Sequence, residues 1–348
     1  MGLDVPSVSR RGALLLLGAA SLSARAAEPV AAGTPTEVRS EPVRGGAVLT
    51  LVSRHLQWTD AEPGIDAAHA AGFGGIAWTV RRGAHIEPEN VEKELPRIVG
   101  LTRAAGLATP MVITGINSAQ APHIEPILRT MSALGIRRYR AVAPRYDYSR
   151  DIEPQFAAFR STLIELAKLN ERFGTTAMFH THSYANTIGG SAWDLWMLLK
   201  DIDPRYVGIN YDIGHVTAKG GAGWRESSMA AHRHIHAISV KDFHWTKRAD
   251  APAGEWPWYT EFVPPGQGMV NFADFFRYFG ALRFAGPIET YCEYKVRMPG
   301  VAAPIDMLGT DYRKWQLEMK PDEYIALMKR DADFYKAELA RAQFMLAS

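Results

Sequence analysis

Gly208-Ile209-Asn210-Tyr211-Asp212-Ile213-Gly214-His215, GINYDIGH in one-letter code, decides how the rest of the chain is read. It starts as a short apolar run of the kind that forms a buried strand, then ends on a carboxylate and an imidazole three residues apart. Both groups are costly to bury unless something pairs with them. In a parallel sheet covered on both faces, such residues belong where a strand leaves the core and enters a functional mouth.

Working outward, the same habit recurs. Short β-rich runs, AVLTLVSR, GGIAWTV, TPMVITGI, RRYRAVA, TTAMFHTH, YVGINYD, HAISVKDF and GPIETYCEY, alternate with helical stretches such as 62–71, 88–105, 123–134, 154–173, 192–200 and 272–279. A last helix begins near Pro321, and the segment 296–320 before it is a long excursion able to line or cover a barrel mouth. Eight strand–helix units predict an α/β chain of the (β/α)8 TIM-barrel class, with its site at the C-terminal ends of the strands. No G-x-G-x-x-G follows the first strand, which argues against a doubly wound open sheet.

The strand ends supply the chemistry. The fifth ends in His180-Thr181-His182, the sixth in Asp212 followed by His215, the seventh in Ser239-Val240-Lys241-Asp242, and the eighth in Glu293. Nitrogen and oxygen donors from different strands form a hard ligand set, so His180, His182, Asp212 and Glu293 are the candidate ligands of one divalent ion. Mn²⁺ is the preferred ion, with Mg²⁺, Co²⁺ and Zn²⁺ as alternatives. Glu289 shares a strand face with Glu293. Glu293 is preferred because Glu289 lies deeper, where barrel interiors are packed with side chains. Lys241 can polarise a carbonyl, act as a base, or simply pair with Asp242 or Asp212. His215 and His85 join it as candidate catalytic groups, and His182 is a further candidate base. Arg54 and Trp58 after the first strand, Arg82 after the second, and Trp245 after the seventh are candidate substrate-binding residues. Trp245 stands near Trp256, Trp258 and Tyr259, whose flat faces suit sugar rings. His232, His234 and His236 precede the seventh strand, at the silent end of a barrel, and read as structural.

Composition narrows the classes. The 348 residues are 47% hydrophobic and 22% charged, enough for a large core. Lys and Arg number 39 against 37 Asp and Glu, so no basic surface argues for nucleic acid and a small or zwitterionic partner fits better; the aromatics of the mouth loops make a small carbohydrate the expected one. With Cys292 as the single cysteine, any metal must be held by His, Asp and Glu. Arg10-Arg11 before the apolar run Ala13–Leu17, followed by Ala24-Arg25-Ala26, predicts a twin-arginine-type signal over 1–26. A flexible leader is expected over 27–46 and a single catalytic barrel over 47–348, exported to the periplasm or beyond, with no membrane span in the mature protein.

YDIGH, SVKDF, PPGQGMVNF and FAGPIETYCEY, taken together, resemble the xylose isomerase-like barrels: sugar and sugar-phosphate isomerases, epimerases and endonuclease IV. The resemblance covers most of the chain after residue 47 and is strongest to exported sugar phosphate isomerase/epimerase proteins with a His-Thr-His-Ser segment. It implies a divalent metal on Asp212 and Glu293 that binds vicinal sugar oxygens and acidifies the proton to be moved. Two positions depart from the family pattern: His180 stands where many members carry Glu, and Ser239 where many carry His. The implied activity is sugar isomerisation or epimerisation by proton abstraction next to a carbonyl. The alternatives are a lyase or hydrolase of oxidised 3-keto glycosides and a non-catalytic sugar-binding protein.

Overall fold

The computed structural model describes residues 46–309 and 315–347; the expected signal and the leader up to residue 45 lie outside them. Seven strands run in succession: β1 (Val48–Val52), β2 (Gly75–Val80), β3 (Val112–Thr114), β4 (Arg138–Ala141), β5 (Thr176–His180), β6 (Val207–Asp212) and β7 (Ile235–Val240). An antiparallel hairpin of β8 (Asp242–Lys247) and β9 (Trp258–Val263) then intervenes before β10 (Pro287–Thr290). β10 pairs in parallel with both β7 and β1, closing an eight-stranded barrel. This is the expected TIM barrel.

The helices follow from the sequence between the strands. They are α1 (Ala61–Ala70), α2 (Val91–Ala104), α3 (Ile124–Ala133), α4 (Ile152–Phe173), α5 (Trp193–Leu199), α6 (Ile213–Gly220), α7 (Trp224–Ala231), α8 (Phe272–Ala281) and α9 (Pro321–Arg341). Each lays an apolar stripe on strands whose residues are buried on both faces, as in β1 (VLTLV) and β6 (VGINYD). Inside the barrel a smaller apolar plug, with Val52, Ala77, Ile113, Met178 and Ala237, fills the lower layers. Above it the inward positions turn polar. Among the described residues no helix is long and apolar enough to cross a membrane.

Two departures from expectation matter. The run HAISVKDF is not one strand, because the chain leaves the barrel after Val240 and starts the hairpin at Asp242. The excursion after β10 folds back over the β1 side of the mouth: the Arg54 guanidinium donates to Gly309 O, Trp315 Nε1 donates to Arg54 O at 3.2 Å, and Leu308 joins the interior plug. At the opposite end Ala47 forms a parallel bridge with Leu346, so the two ends of the described body lie side by side.

Candidate active site

Register builds the site. Cα partners across the parallel pairs set His180 beside Asn210, Asp212 beside Ser239, and Ser239 beside Glu289. Side chains alternate along a strand, so these residues and Arg140 of β4 converge inside the barrel. Glu289 is fully buried; its Oε2 accepts from Asn210 Nδ2 at 2.6 Å, lies 2.6 Å from Ser239 Oγ and 3.5 Å from Arg140. Arg140 also bonds the Tyr291 hydroxyl. This lower polar layer is closed on itself.

One layer up, towards the mouth, Asp212 caps α6 by accepting from His215 N at 3.0 Å, which places the His215 ring in the first helical turn. His182 stacks on that ring at 4.2 Å, and Tyr184 lies 4.3 Å from His182 on centroids. The Ser183 hydroxyl is 2.8 Å from His215 Nδ1. Lys241 Nζ sits in the middle, 2.7 Å from Glu293 Oε2, 3.0 Å from His215 Nε2 and 3.5 Å from Asp212 Oδ2. The rings of Tyr291 and Phe262 flank it at 4.7 and 4.9 Å. Gly214 explains the close fit: a Cβ there would come within 2.7 Å of Lys241 Cγ.

Burial, reinforced by the charges of Lys241 and Arg140, holds all three imidazoles neutral: His180 and His215 lie well below the usual histidine range and His182 is pulled to about 3. Burial raises the Asp212 carboxyl despite Lys241 nearby. For Lys241 the burial penalty is outweighed by Glu293 and Asp212, which raise it and keep it an ammonium. Glu293 is lowered, because Lys241 overcomes the opposing effect of burial. Both ring nitrogens of His180, Nδ1 of His182 and Oδ2 of Asp212 are buried without a hydrogen bond in the protein, although His180 Nε2 and Lys241 Nζ approach that Oδ2 to 3.3 and 3.5 Å. His180, His182 and His215 each offer a ring nitrogen, all within 4.8 Å of one another. The neutral imidazoles of His180 and His182, with unused lone pairs beside a carboxylate, are donors that fit a divalent ion, and His215 would join them once its Nε2 leaves the Lys241 ammonium.

The expected residues are therefore grouped differently than by type alone. His180, His182 and Asp212 lie together as expected, but His215 joins this ligand-competent group while Glu293 is tied to Lys241. The remaining candidates stand elsewhere on the mouth. The His85 ring stands edge-on to Trp78 at 5.2 Å, with Nε2 3.0 Å from Thr59 O. Trp58 donates to His55 O at 2.9 Å and packs on Tyr324, and Arg54 holds the returning excursion. Arg82 lines a cavity of about 460 Å³ with Arg81, Gly115, Ile116, His123 and Val142. Trp245 projects from the hairpin, 42% exposed. His234 and His236 bond the Ile202 and Pro204 carbonyls below the barrel, as structural residues do. Arg140, Asn210 and Ser183 were not foreseen. The one available signal was an arginine alternating inside the β-rich run RRYRAVA.

A family model described as a xylose isomerase-like TIM barrel matches residues 65–310. A comparison with curated proteins finds no match. Among solved structures, D-psicose 3-epimerase with D-tagatose from Clostridium cellulolyticum H10 superposes with a TM-score of 0.59 at 13% identity, over 84% of this chain and 99% of that one. The IOLI protein with a bound zinc atom gives 0.60 at 16%, over 84% and 99%. The probable 3-DHS dehydratase AsbF from Bacillus anthracis gives 0.56 at 18%, over 81% and 97%. At such identities the likeness speaks for the fold.

Proposed function

This chain belongs to the xylose isomerase-like TIM-barrel family, and on that premise we propose a metal-dependent enzyme that moves a proton beside a carbonyl of a sugar or sugar derivative, as isomerases and epimerases do. The observation behind this reading is the set of orphaned buried donors on His180, His182 and Asp212, next to an ammonium–carboxylate pair. His180, His182, His215 and Asp212 would hold the ion, which when bound supplies electrophilic pull on vicinal oxygens. Lys241, an ammonium with no lone pair, donates to the oxygen on which charge develops. Glu293, 27% exposed at the mouth and 2.7 Å from Lys241, takes and returns the carbon-bound proton. The imidazoles, held neutral by burial, are among the groups that would hold the ion and are left out of the proton transfer. Tyr291 and Phe262 exclude water around the ammonium.

If the carbanion carries a leaving group on the next carbon, the same first step ends in elimination, the lyase alternative. Incubating metal-loaded protein with free sugars, keto-sugars and 3-keto-glycosides in deuterated water tests the reading by NMR. Deuterium is expected at a carbon next to a carbonyl, and the product distinguishes reprotonation from loss of an aglycone. Tight sugar binding with no exchange would instead make the chain a non-catalytic binding protein.

A further inference from the structure

The hairpin that interrupts the barrel has two unlike faces. Its cross-strand partners are Phe243 with Phe262, His244 with Glu261, Trp245 with Thr260, Thr246 with Tyr259, and Lys247 with Trp258. Alternation therefore puts Phe243, Phe262, Trp245, Thr260, Lys247 and Trp258 on one face, and His244, Glu261, Thr246 and Tyr259 on the other. The second face is largely self-satisfied: Thr246 Oγ1 donates to Glu261 at 2.8 Å, and His244 Nε2 lies 3.2 Å from the same carboxylate. The first face begins inside the site. The Phe262 ring meets the His215 ring at 5.4 Å and takes the Lys241 ammonium over its face. Each two-residue step along the strand then advances about 7 Å, first to the Trp245–Thr260 pair and next to Trp258. Trp245 and Trp258 are 42% and 43% exposed. Among the described residues neither indole N–H has a protein acceptor.

The base of the hairpin is clamped. The buried Asp242 carboxylate accepts from Phe243 N at 2.9 Å and, across the turn that follows β9, from Gly266 N at 2.9 Å, Gly268 N at 2.8 Å and Val270 N at 3.1 Å. Four backbone donors on one side chain hold the aromatic face at a set angle to Lys241 and His215. A preorganised flat surface loses little entropy on binding.

We propose that this face is a second subsite, so that the substrate is a glycoside: a sugar ring reacting at the His215–Lys241 cluster, joined to a second ring that stacks on Trp245 and reaches towards Trp258. The inference rests on the sugar reading and deepens it. Its basis is continuity, since the same row of aromatic side chains touches the reacting cluster at one end and solvent at the other. Size agrees. Two half-exposed indoles offer on the order of 200 Å², enough for one or two rings and well short of the roughly 1,000 Å² of a stable protein interface. Chemistry agrees as well, because indole faces receive sugar C–H groups or a planar aglycone while the N–H and the Thr260 hydroxyl are donors to ring hydroxyls.

The test is titration calorimetry on the full chain with a keto-monosaccharide, the matching disaccharide and the matching aryl glycoside. Both glycosides are expected to bind at least tenfold tighter than the monosaccharide. Trp245→Ala should bring that ratio close to one and Trp258→Ala should lower it less, whereas Thr246→Val on the opposite face should leave it alone. Quenching of tryptophan fluorescence by glycoside but not by monosaccharide reads the same contact without a variant. Equal affinities for ring and glycoside, or a ratio indifferent to Trp245→Ala, would overturn the subsite and leave the sugar reading standing. Failure to bind any of the three would remove both. A drop in oligomer mass on Trp258→Ala, by light scattering, would assign the face to a second copy of the chain and overturn the subsite.

Discussion

The two polar layers at the top of the barrel each gather side chains round a buried carboxylate and differ in how fully that carboxylate and its neighbours are hydrogen-bonded. Around Glu289, donors from Asn210, Ser239 and Arg140 converge on the buried carboxylate. Around Asp212, one strand-end higher, one carboxylate oxygen makes no hydrogen bond, only longer approaches from His180 Nε2 at 3.3 Å and Lys241 Nζ at 3.5 Å, and His180 and His182 keep nitrogens without hydrogen bonds. A buried polar group without a partner costs about 1–3 kcal/mol. A fold tolerates several together where a ligand will satisfy them, which makes the lower layer a lock and the upper layer a receptor.

The largest expected effect breaks the lock. Glu289→Ala removes the buried carboxylate on which Asn210, Ser239 and the Arg140 guanidinium converge, and should cost about 3–5 kcal/mol, with a fall in Tm on the order of 10 °C. Glu293→Ala in the upper layer leaves Lys241 its contacts with Asp212 and His215 and should cost less than about 2 kcal/mol. Thermal melts of both variants decide the matter, and equal losses would erase the distinction between the layers.

Filling the receptor comes next. Mn²⁺ or Zn²⁺ added to chelator-stripped protein should raise stability by about 2.7 kcal/mol at a hundredfold excess over Kd. Calorimetry should count one ion per chain, and His182→Ala should weaken it. No heat and no change in Tm with either ion would leave the orphaned atoms without their explanation.

A pH series sharpens the contrast from the satisfied side. His55 accepts from Cys292 N at Nε2, 3.1 Å away, and Nδ1 faces Met307 O at 3.2 Å, so the neutral ring fits and a protonated one sets N–H against N–H. Burial pulls His55 down to about 4. Its folded value lies below the unfolded one, so the unfolded chain binds the extra proton. The stabilisation is complete above about pH 6.5 and lost as pH falls towards 4, by up to about 1.4 kcal/mol per pH unit. His55→Gln should be less stable at pH 7 and show a shallower decline in acid; parallel curves for the two proteins would count against this assignment.

The smallest effect concerns competition within the receptor. Lys241 holds His215 Nε2 and faces Asp212, so Lys241→Met should tighten metal binding about tenfold by freeing both, as read by calorimetry. Weaker binding would mean that the ammonium orders the ligands instead of contesting them.

Much of this architecture was legible in the chain. Most of the eight barrel strands stand out as apolar runs between helical stretches, RYRA of β4 being the exception, and the seven predicted helices start and stop within a few residues of the observed ones, while α6 and α7 were not predicted. The polar strand ends located the mouth. The division of labour within it was not legible, since it depends on distances between residues far apart in sequence: Lys241 and Glu293 meet at 2.7 Å across 52 positions. Glu289 was set aside for its depth, a sound argument unless partners satisfy it, and those partners come from three other strands. The hairpin was hidden because SVKDF runs on as if one strand, and the turn between Lys247 and Trp258 carries no Asn-Gly or Asp-Gly signal.

The bridge between Ala47 and Leu346 has a practical consequence. Ala47 N donates to Met345 O at 3.2 Å and Ala347 N donates to Ala47 O at 2.8 Å, on the floor of the barrel beneath β1. The described body is thus nearly circular already. A few residues could join its ends and the chain be reopened at the exposed hairpin tip around 249–256, keeping every barrel pairing. For the same reason, a label or tether attached at residue 46 leaves from the floor of the barrel, clear of the mouth.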